Sequence, residues 1–126
     1  MSEHRWLVAA AVNGALAVAA GAFAAHGLQA RADPRGLELF QMGARYQMWH
    51  ALALVGVSCL AGLEKRPRRA LAVAGWAFLL GIVLFSGGLY LLALTGLTQF
   101  ARIVPVGGAA FVAGWLALAW AGVRRR

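Results

Sequence analysis

Long runs without charge constrain this chain more than any other feature. Four stretches of 25, 18, 32 and 21 residues contain no Asp, Glu, Lys or Arg; they are residues 6–30, 46–63, 70–101 and 103–123. A hydrocarbon core about 30 Å thick is crossed by about 20 helical residues. Lipid offers no partner to open backbone groups, so each span must be a helix. The pattern predicts an all-α integral membrane protein with spans at about residues 6–28, 46–63, 70–94 and 103–123.

The composition agrees with a membrane location. Of the 126 residues, 62% are hydrophobic and 13% are charged, whereas an ordinary soluble domain has roughly 25% charged residues. A soluble domain this small cannot hide so much apolar surface, which excludes a soluble monomer. The one cysteine, Cys59, has no partner for a disulfide within the chain. We expect a single transmembrane domain over residues 1–126, folded as a compact four-helix bundle.

The basic residues predict the orientation. Four spans place both termini and the middle loop on one side, and that side carries eight of the twelve Lys and Arg residues: Arg5, Lys65, Arg66, Arg68, Arg69, Arg124, Arg125 and Arg126. The other side carries Arg31, Arg35, Arg45 and Arg102. Cytoplasmic loops are enriched in Lys and Arg, so we expect cytoplasmic termini. The basic clusters flank apolar spans and are expected to meet anionic lipid headgroups rather than nucleic acid.

Small residues recur three and four positions apart within the spans, which places them on one helix face. Helices in lipid associate by close packing, so such residues mark interfaces. The expected packing glycines are Gly14, Gly21, Gly81, Gly88, Gly107, Gly108 and Gly114. This spacing predicts a tight bundle in which the first and fourth spans are among the closest-packed surfaces, without a large central channel.

The loop between the first two spans is predicted to contain a short amphipathic helix within residues 31–45. Asp33 is its expected N-cap and Pro34 lies in its first turn. Trp6, Trp49, Trp76 and Trp120 lie near span ends and are predicted to form an interfacial belt.

Polar side chains within spans are functional candidates, because lipid makes them costly. Nearly all of them fall in the predicted outer half of the bundle: His26, Gln29, Tyr46, Gln47, His50, Ser86, Tyr90 and Arg102. Two interpretations stay open for this cluster. It is either a structural network that ties helix ends together, or a site for a lipid headgroup, a small amphiphile or a partner helix. Arg102 at a helix N-terminus requires an anion, for which a lipid phosphate, a ligand, Asp33 and Glu38 are the candidates.

Other functions are weighed against this interpretation. His26 and His50, on adjacent helices, are candidates for paired haem or metal ligands, and a small-solute transporter or channel subunit is a further alternative. The chain has no carboxylate pair within its spans and no nucleophile or zinc motif, so we expect no enzyme. No cofactor is expected beyond a bound lipid. The expected partners are the bilayer and either a second copy or another membrane protein, without nucleic acid.

Four segments together resemble the domain-of-unknown-function 423 family of small bacterial inner-membrane proteins, which are distantly related to the eukaryotic transmembrane protein 256. The segments are GAFAAHGL (21–28), YQMWHAL (46–52), LFSGGLY (84–90) and PVGG (105–108), followed by Gly114 and Trp115. This chain departs at Gly88, where the family tends to carry a second serine. The resemblance implies a four-helix inner-membrane protein with cytoplasmic termini, and it implies no activity.

Overall fold

A computed structural model describes residues 2–30 and 33–124. The five α-helices are α1 (Glu3–His26), α2 (Pro34–Leu63), α3 (Arg69–Gly81), α4 (Gly87–Thr95) and α5 (Val104–Arg124). A π-helical turn, Ile82–Ser86, joins α3 and α4 into one span. Four helical stretches are long and apolar enough to cross a bilayer, which confirms the predicted all-α, four-span architecture. Arg31, Arg125 and Arg126, which entered the charge count, lie outside the described residues.

The spans alternate in direction, so the bundle has two distinct ends. The termini end carries Ser2, the loop between α2 and α3, and Arg124; the far end carries two short 3₁₀ turns, Leu28–Ala30 and Thr98–Arg102. α1 packs along α2, and α5 packs along the third span, against α3 and the π-helical turn. α2 also packs against that third span and therefore joins the two pairs.

α2 begins earlier than the sequence pattern suggested. The predicted cap is confirmed, since the Asp33 carboxylate accepts a hydrogen bond from the Gly36 amide at 2.6 Å and Pro34 opens the helix. The predicted short amphipathic helix is not a separate element, however, because its residues form the first turns of the continuous 30-residue α2. A helix of this length extends about 45 Å at 1.5 Å per residue. Gln47 and His50 therefore lie near the middle of α2 instead of at the start of a span.

The interior between the spans is filled by large side chains. Trp6, Leu54, Val57 and Phe78 are each no more than 1% exposed. The interfacial role predicted for Trp6 is wrong, because its indole ring packs over Gly75, where a Cβ would overlap the ring. Trp49, Trp76 and Trp120 are more than half exposed on the outside of the bundle.

Glycine lets α5 and the third span approach each other closely. A Cβ on Gly107 would overlap backbone atoms of Phe85, and one on Gly81 would overlap the Phe111 ring. A Cβ on Gly114 would lie 2.6 Å from Cδ1 of Phe78. Glycine is therefore required at these three positions, where α5 crosses the third span.

The remaining predicted packing glycines differ among themselves. A Cβ on Gly88 would lie 2.9 Å from Cγ2 of Val104, whereas one on Gly108 would make ordinary contact with Phe85 at 3.8 Å. The prediction is wrong for Gly14 and Gly21, where a Cβ would meet no atom within 4 Å. Both lie at the edge of the packed face of α1, whose buried residues are Trp6, Ala10, Ala17 and Ala24.

Candidate functional site

A relay of hydrogen bonds joins three spans within the bundle. The Tyr90 hydroxyl donates to Oε1 of Gln47 at 2.7 Å. Nε2 of Gln47 donates to Oδ1 of Asn13 at 3.0 Å, and Nδ2 of Asn13 donates to the Ala9 carbonyl at 2.9 Å. Every bond runs in the same direction, from the third span through α2 to α1. Gln47 is 5% exposed, so α2 carries the central amide of the relay in the interior.

Asn13 is the member of this relay that sequence analysis left out. The charge pattern predicts that Gln47 lies at the start of the second span, in the outer half of the bundle, whereas Asn13 lies in the predicted inner half of the first span. The signal was present in the sequence, as Asn13 is a polar residue within a long apolar run. Since α2 begins at Pro34, Gln47 lies far enough along the helix to reach Asn13.

The relay forms part of a lateral groove between α1 and the third span. This groove has a volume of about 880 Å³ and also includes Phe40 of α2. Apolar side chains make up most of its surface, and Asn13, Gln47 and Tyr90 are its polar side chains. Leu91, Leu94 and Val83 line it and are 43 to 65% exposed, so the groove opens on the outside of the bundle.

His50 belongs to a second cluster, between α2 and α5. Its ring stacks on Phe111 with centroids 3.6 Å apart, and its Nδ1 lies 2.6 Å from the Tyr46 carbonyl. Trp115, which lies near the middle of α5, donates a hydrogen bond from its Nε1 to Nε2 of His50 at 3.1 Å. A carbonyl only accepts and an indole N–H only donates, so His50 is neutral with its proton on Nδ1.

The predicted histidine pair does not fit a haem or a metal ion. Both ring nitrogens of His50 are engaged in hydrogen bonds. The contacts of Asn13 with Gln47 and of Glu3 with Ser58 fix the register of α1 on α2. This register places His50 level with about Ala10, roughly 24 Å along the helix axis from His26. No group of three or more potential metal ligands occurs among residues 2–30 and 33–124.

Three other members of the predicted cluster lie away from the relay. His26, Gln29 and Arg102 are exposed at the far end. Within the described part of the chain, no ion pair joins Arg102 to Asp33 or Glu38. The eight residues of the predicted cluster therefore do not form one site, since three of them are exposed at the far end and the others make contacts within the bundle.

Tyr46 and Ser86 complete the predicted set. The carbonyl oxygen of Tyr46 accepts the hydrogen bond from Nδ1 of His50. The Tyr46 ring packs against Phe85, with ring centroids 4.6 Å apart. Ser86 ends the π-helical turn and is 1% exposed, and its hydroxyl has no hydrogen-bond partner among the described residues. Gly43 of α2 makes room for this turn, since a Cβ there would lie 3.2 Å from the Ser86 carbonyl oxygen.

Comparison with known proteins places the chain in a family. The family model described as "Protein of unknown function (DUF423)" matches residues 20–108. The chain belongs to this family. It is 39% identical over 119 residues to the UPF0382 membrane protein YwdK of Bacillus subtilis (strain 168), covering 94% of this chain and 96% of the relative.

Two further relatives match over a similar length. The UPF0382 inner membrane protein YgdD of Escherichia coli (strain K12) is 38% identical over 115 residues, covering 91% of this chain and 86% of the relative. A UPF0382 membrane protein of Haemophilus influenzae is 38% identical over 118 residues, covering 94% and 93%. No solved structure matches the chain. The relatives are named membrane proteins, and the family has no established activity.

Proposed function

We propose that this DUF423 protein is a non-enzymatic bacterial inner-membrane protein that binds a neutral amphiphile from within the bilayer. The observation that carries the proposal is the position of the relay of Asn13, Gln47 and Tyr90 in the surface of an apolar groove. A volume of about 880 Å³ falls within the usual range for ligand sites, about 300–1,000 Å³.

The groove supplies uncharged hydrogen-bonding groups. No Asp, Glu, Lys or Arg lines it among the described residues, which favours a ligand with an uncharged polar group. A side-chain amide has two N–H donors, and the bonds of the relay use one from Asn13 and one from Gln47. The second donors suit a carbonyl or hydroxyl oxygen of the ligand, while its apolar chain lies along Leu91 and Leu94.

The proposal includes an orientation in the inner membrane. The termini end carries most of the basic residues, which favours cytoplasmic termini. The groove extends from the relay toward the far end, where Phe23 and Leu94 line it. In this orientation the ligand enters sideways from the periplasmic half of the bilayer.

Ligand capture in mild detergent tests the proposal. We replace Leu91, which lines the groove and is 43% exposed, by Trp to fill the groove. The matched control is Leu80→Trp, since Leu80 is on the same span, is 52% exposed and lies outside the groove lining. Native mass spectrometry after purification should show a stoichiometric neutral lipid on the wild type and on Leu80→Trp.

The Leu91→Trp variant should retain at least tenfold less of this lipid than the wild type, with an unchanged melting temperature. Equal retention by all three proteins, or no retained adduct on the wild type across added neutral lipids, would overturn the proposal. An absorption spectrum of the same sample examines the haem alternative, for which we expect no Soret band because both nitrogens of His50 are engaged.

A further inference from the structure

The loop between α2 and α3 forms a cationic crater at the termini end, away from the groove. The crater has a volume of about 490 Å³ and is lined by residues 63–68 together with Arg124. Four of these lining residues are basic, namely Lys65, Arg66, Arg68 and Arg124, and one, Glu64, is acidic. Its lining is therefore strongly positive.

One of the four cations, Arg68, forms hydrogen bonds within the protein. Nη2 of Arg68 donates to the Ala121 carbonyl of α5 at 2.8 Å, and Nη1 lies 3.3 Å from Oε1 of Glu64. These contacts tie the loop to the end of α5 and pair the Glu64 carboxylate with Arg68. Lys65 and Arg66 are exposed, and neither forms an ion pair with an acidic side chain of the described chain.

The crater borders the apolar surface of the bundle. Leu63 lines it and is 65% exposed. On α5, the Arg124 guanidinium lies 5.4 Å from the centre of the Trp120 ring, which is 58% exposed. A ligand in the crater therefore has cations around its polar end and apolar helix faces beside it.

We propose that this crater binds the phosphate group of an anionic phospholipid. Lys65, Arg66 and Arg124 supply the positive charges, and Arg68 positions the loop. Phosphate oxygens accept charge-assisted hydrogen bonds from Lys and Arg. The acyl chains continue along Leu63 and Trp120, which is why a lipid phosphate suits the crater better than free phosphate. The neutral-ligand groove is a different site, so either proposal can fail alone.

The test compares lipid binding by matched charge variants. The double variant Lys65→Gln/Arg66→Gln removes two exposed cations and leaves Arg68 in place. The control Arg35→Gln/Arg102→Gln removes two exposed cations at the far end. Native mass spectrometry with titrated phosphatidylglycerol or phosphatidylcholine gives the apparent affinities. A basic side chain near anionic lipid contributes about fivefold in affinity, so the double variant should lose roughly 25-fold for phosphatidylglycerol.

The control should keep wild-type affinity, and the charge-conserving variant Lys65→Arg/Arg66→Lys should keep it as well. Millimolar inorganic phosphate should not displace the lipid. Equal phosphatidylglycerol affinity in the wild type and Lys65→Gln/Arg66→Gln would overturn the proposal. Equal affinity for phosphatidylcholine and phosphatidylglycerol in the wild type, or displacement by inorganic phosphate, would also overturn it. Melting temperatures confirm that each variant is folded.

Discussion

Individual glycines in this bundle have opposite environments, although their spacing in the sequence looks alike. Gly107 faces backbone atoms of Phe85, which cannot rotate away as a side chain does. Gly21 has no atom within 4 Å of the Cβ position. Spacing alone identifies a small-residue face, but the neighbouring helix decides which members of that face must be glycine.

We predict that Gly107→Ala destabilises the protein by about 1–3 kcal/mol or more, because the added methyl group overpacks the α5 contact with the third span. Gly21→Ala should leave stability unchanged or raise it, since alanine is the better helix former by roughly 0.8–1.0 kcal/mol in soluble helices. Reversible unfolding in mixed micelles measures both variants. Equal destabilisation by the two substitutions would contradict the described packing.

The relay supports a second prediction at this scale. Gln47→Leu should cost about 1–3 kcal/mol, because it leaves the Tyr90 hydroxyl and Oδ1 of Asn13 without their partner. Tyr90→Phe leaves one group, Oε1 of Gln47, without its partner and should therefore cost less than Gln47→Leu. The control is Gln41→Leu, an exposed glutamine on the same helix. The same unfolding assay should rank the three variants in that order, and a Gln47→Leu effect no larger than that of Gln41→Leu would contradict the relay.

At the scale of elements, α2 explains most of the difference between sequence and structure. Arg35, Glu38 and Arg45 favoured a loop before the second span, yet the helix runs through all three. The Asp33 cap was predictable because an acidic N-cap followed by proline is a local signal. The depth of Gln47 and His50 was not predictable, because it depends on where α2 pairs with α1.

The π-helical turn had no signal in the sequence. The Gly87 amide donates to the Ile82 carbonyl, five residues back, so the third span contains one residue more than a regular helix would at this point. The residues of this turn are apolar except for Ser86 and resemble the rest of the span. The turn brings Phe85 against Gly107 while Tyr90 still faces Gln47.

Deletion of Val83 should therefore be tolerated. Val83 lies in the turn and is 65% exposed, so its removal converts the turn to regular α-helix without emptying the core. Deletion of Val73, which is 49% exposed in α3, should abolish folding, because it rotates all later residues of the span by about 100°. Size-exclusion profiles and melting temperatures in detergent distinguish the two deletions, and equal damage by both would argue against the turn.

For the whole molecule, the distribution of basic residues predicts the orientation in the bilayer. We predict that Gln29→Cys reacts with a membrane-impermeant maleimide in intact spheroplasts, and that Pro67→Cys reacts only after permeabilisation. Both variants carry Cys59→Ala, since Cys59 is exposed in α2. The expectation rests on the excess of basic residues at the termini end. The opposite labelling pattern would contradict this prediction and show that both termini are periplasmic.

The number and type of spans followed from the distribution of charge, because lipid leaves few alternatives to an apolar helix. The polar site did not follow to the same extent. Of the predicted cluster, Gln47 and Tyr90 meet in the relay, whereas His26, Gln29 and Arg102 lie exposed at the far end. A single sequence reports which residues are polar, while the register between helices decides which of them touch.

The bond between Asn13 and Gln47 has a consequence for biosynthesis. Both residues belong to helices that are synthesised before the third span, so the two amides can pair as soon as α1 and α2 form a hairpin. The indole ring of Trp6 packs over Gly75 of α3, which is synthesised later. We expect the face of the ring that covers Gly75 to stay exposed until the third span arrives. We therefore expect an order of assembly in which the hairpin of α1 and α2 inserts first and the third span then completes both the relay and the core.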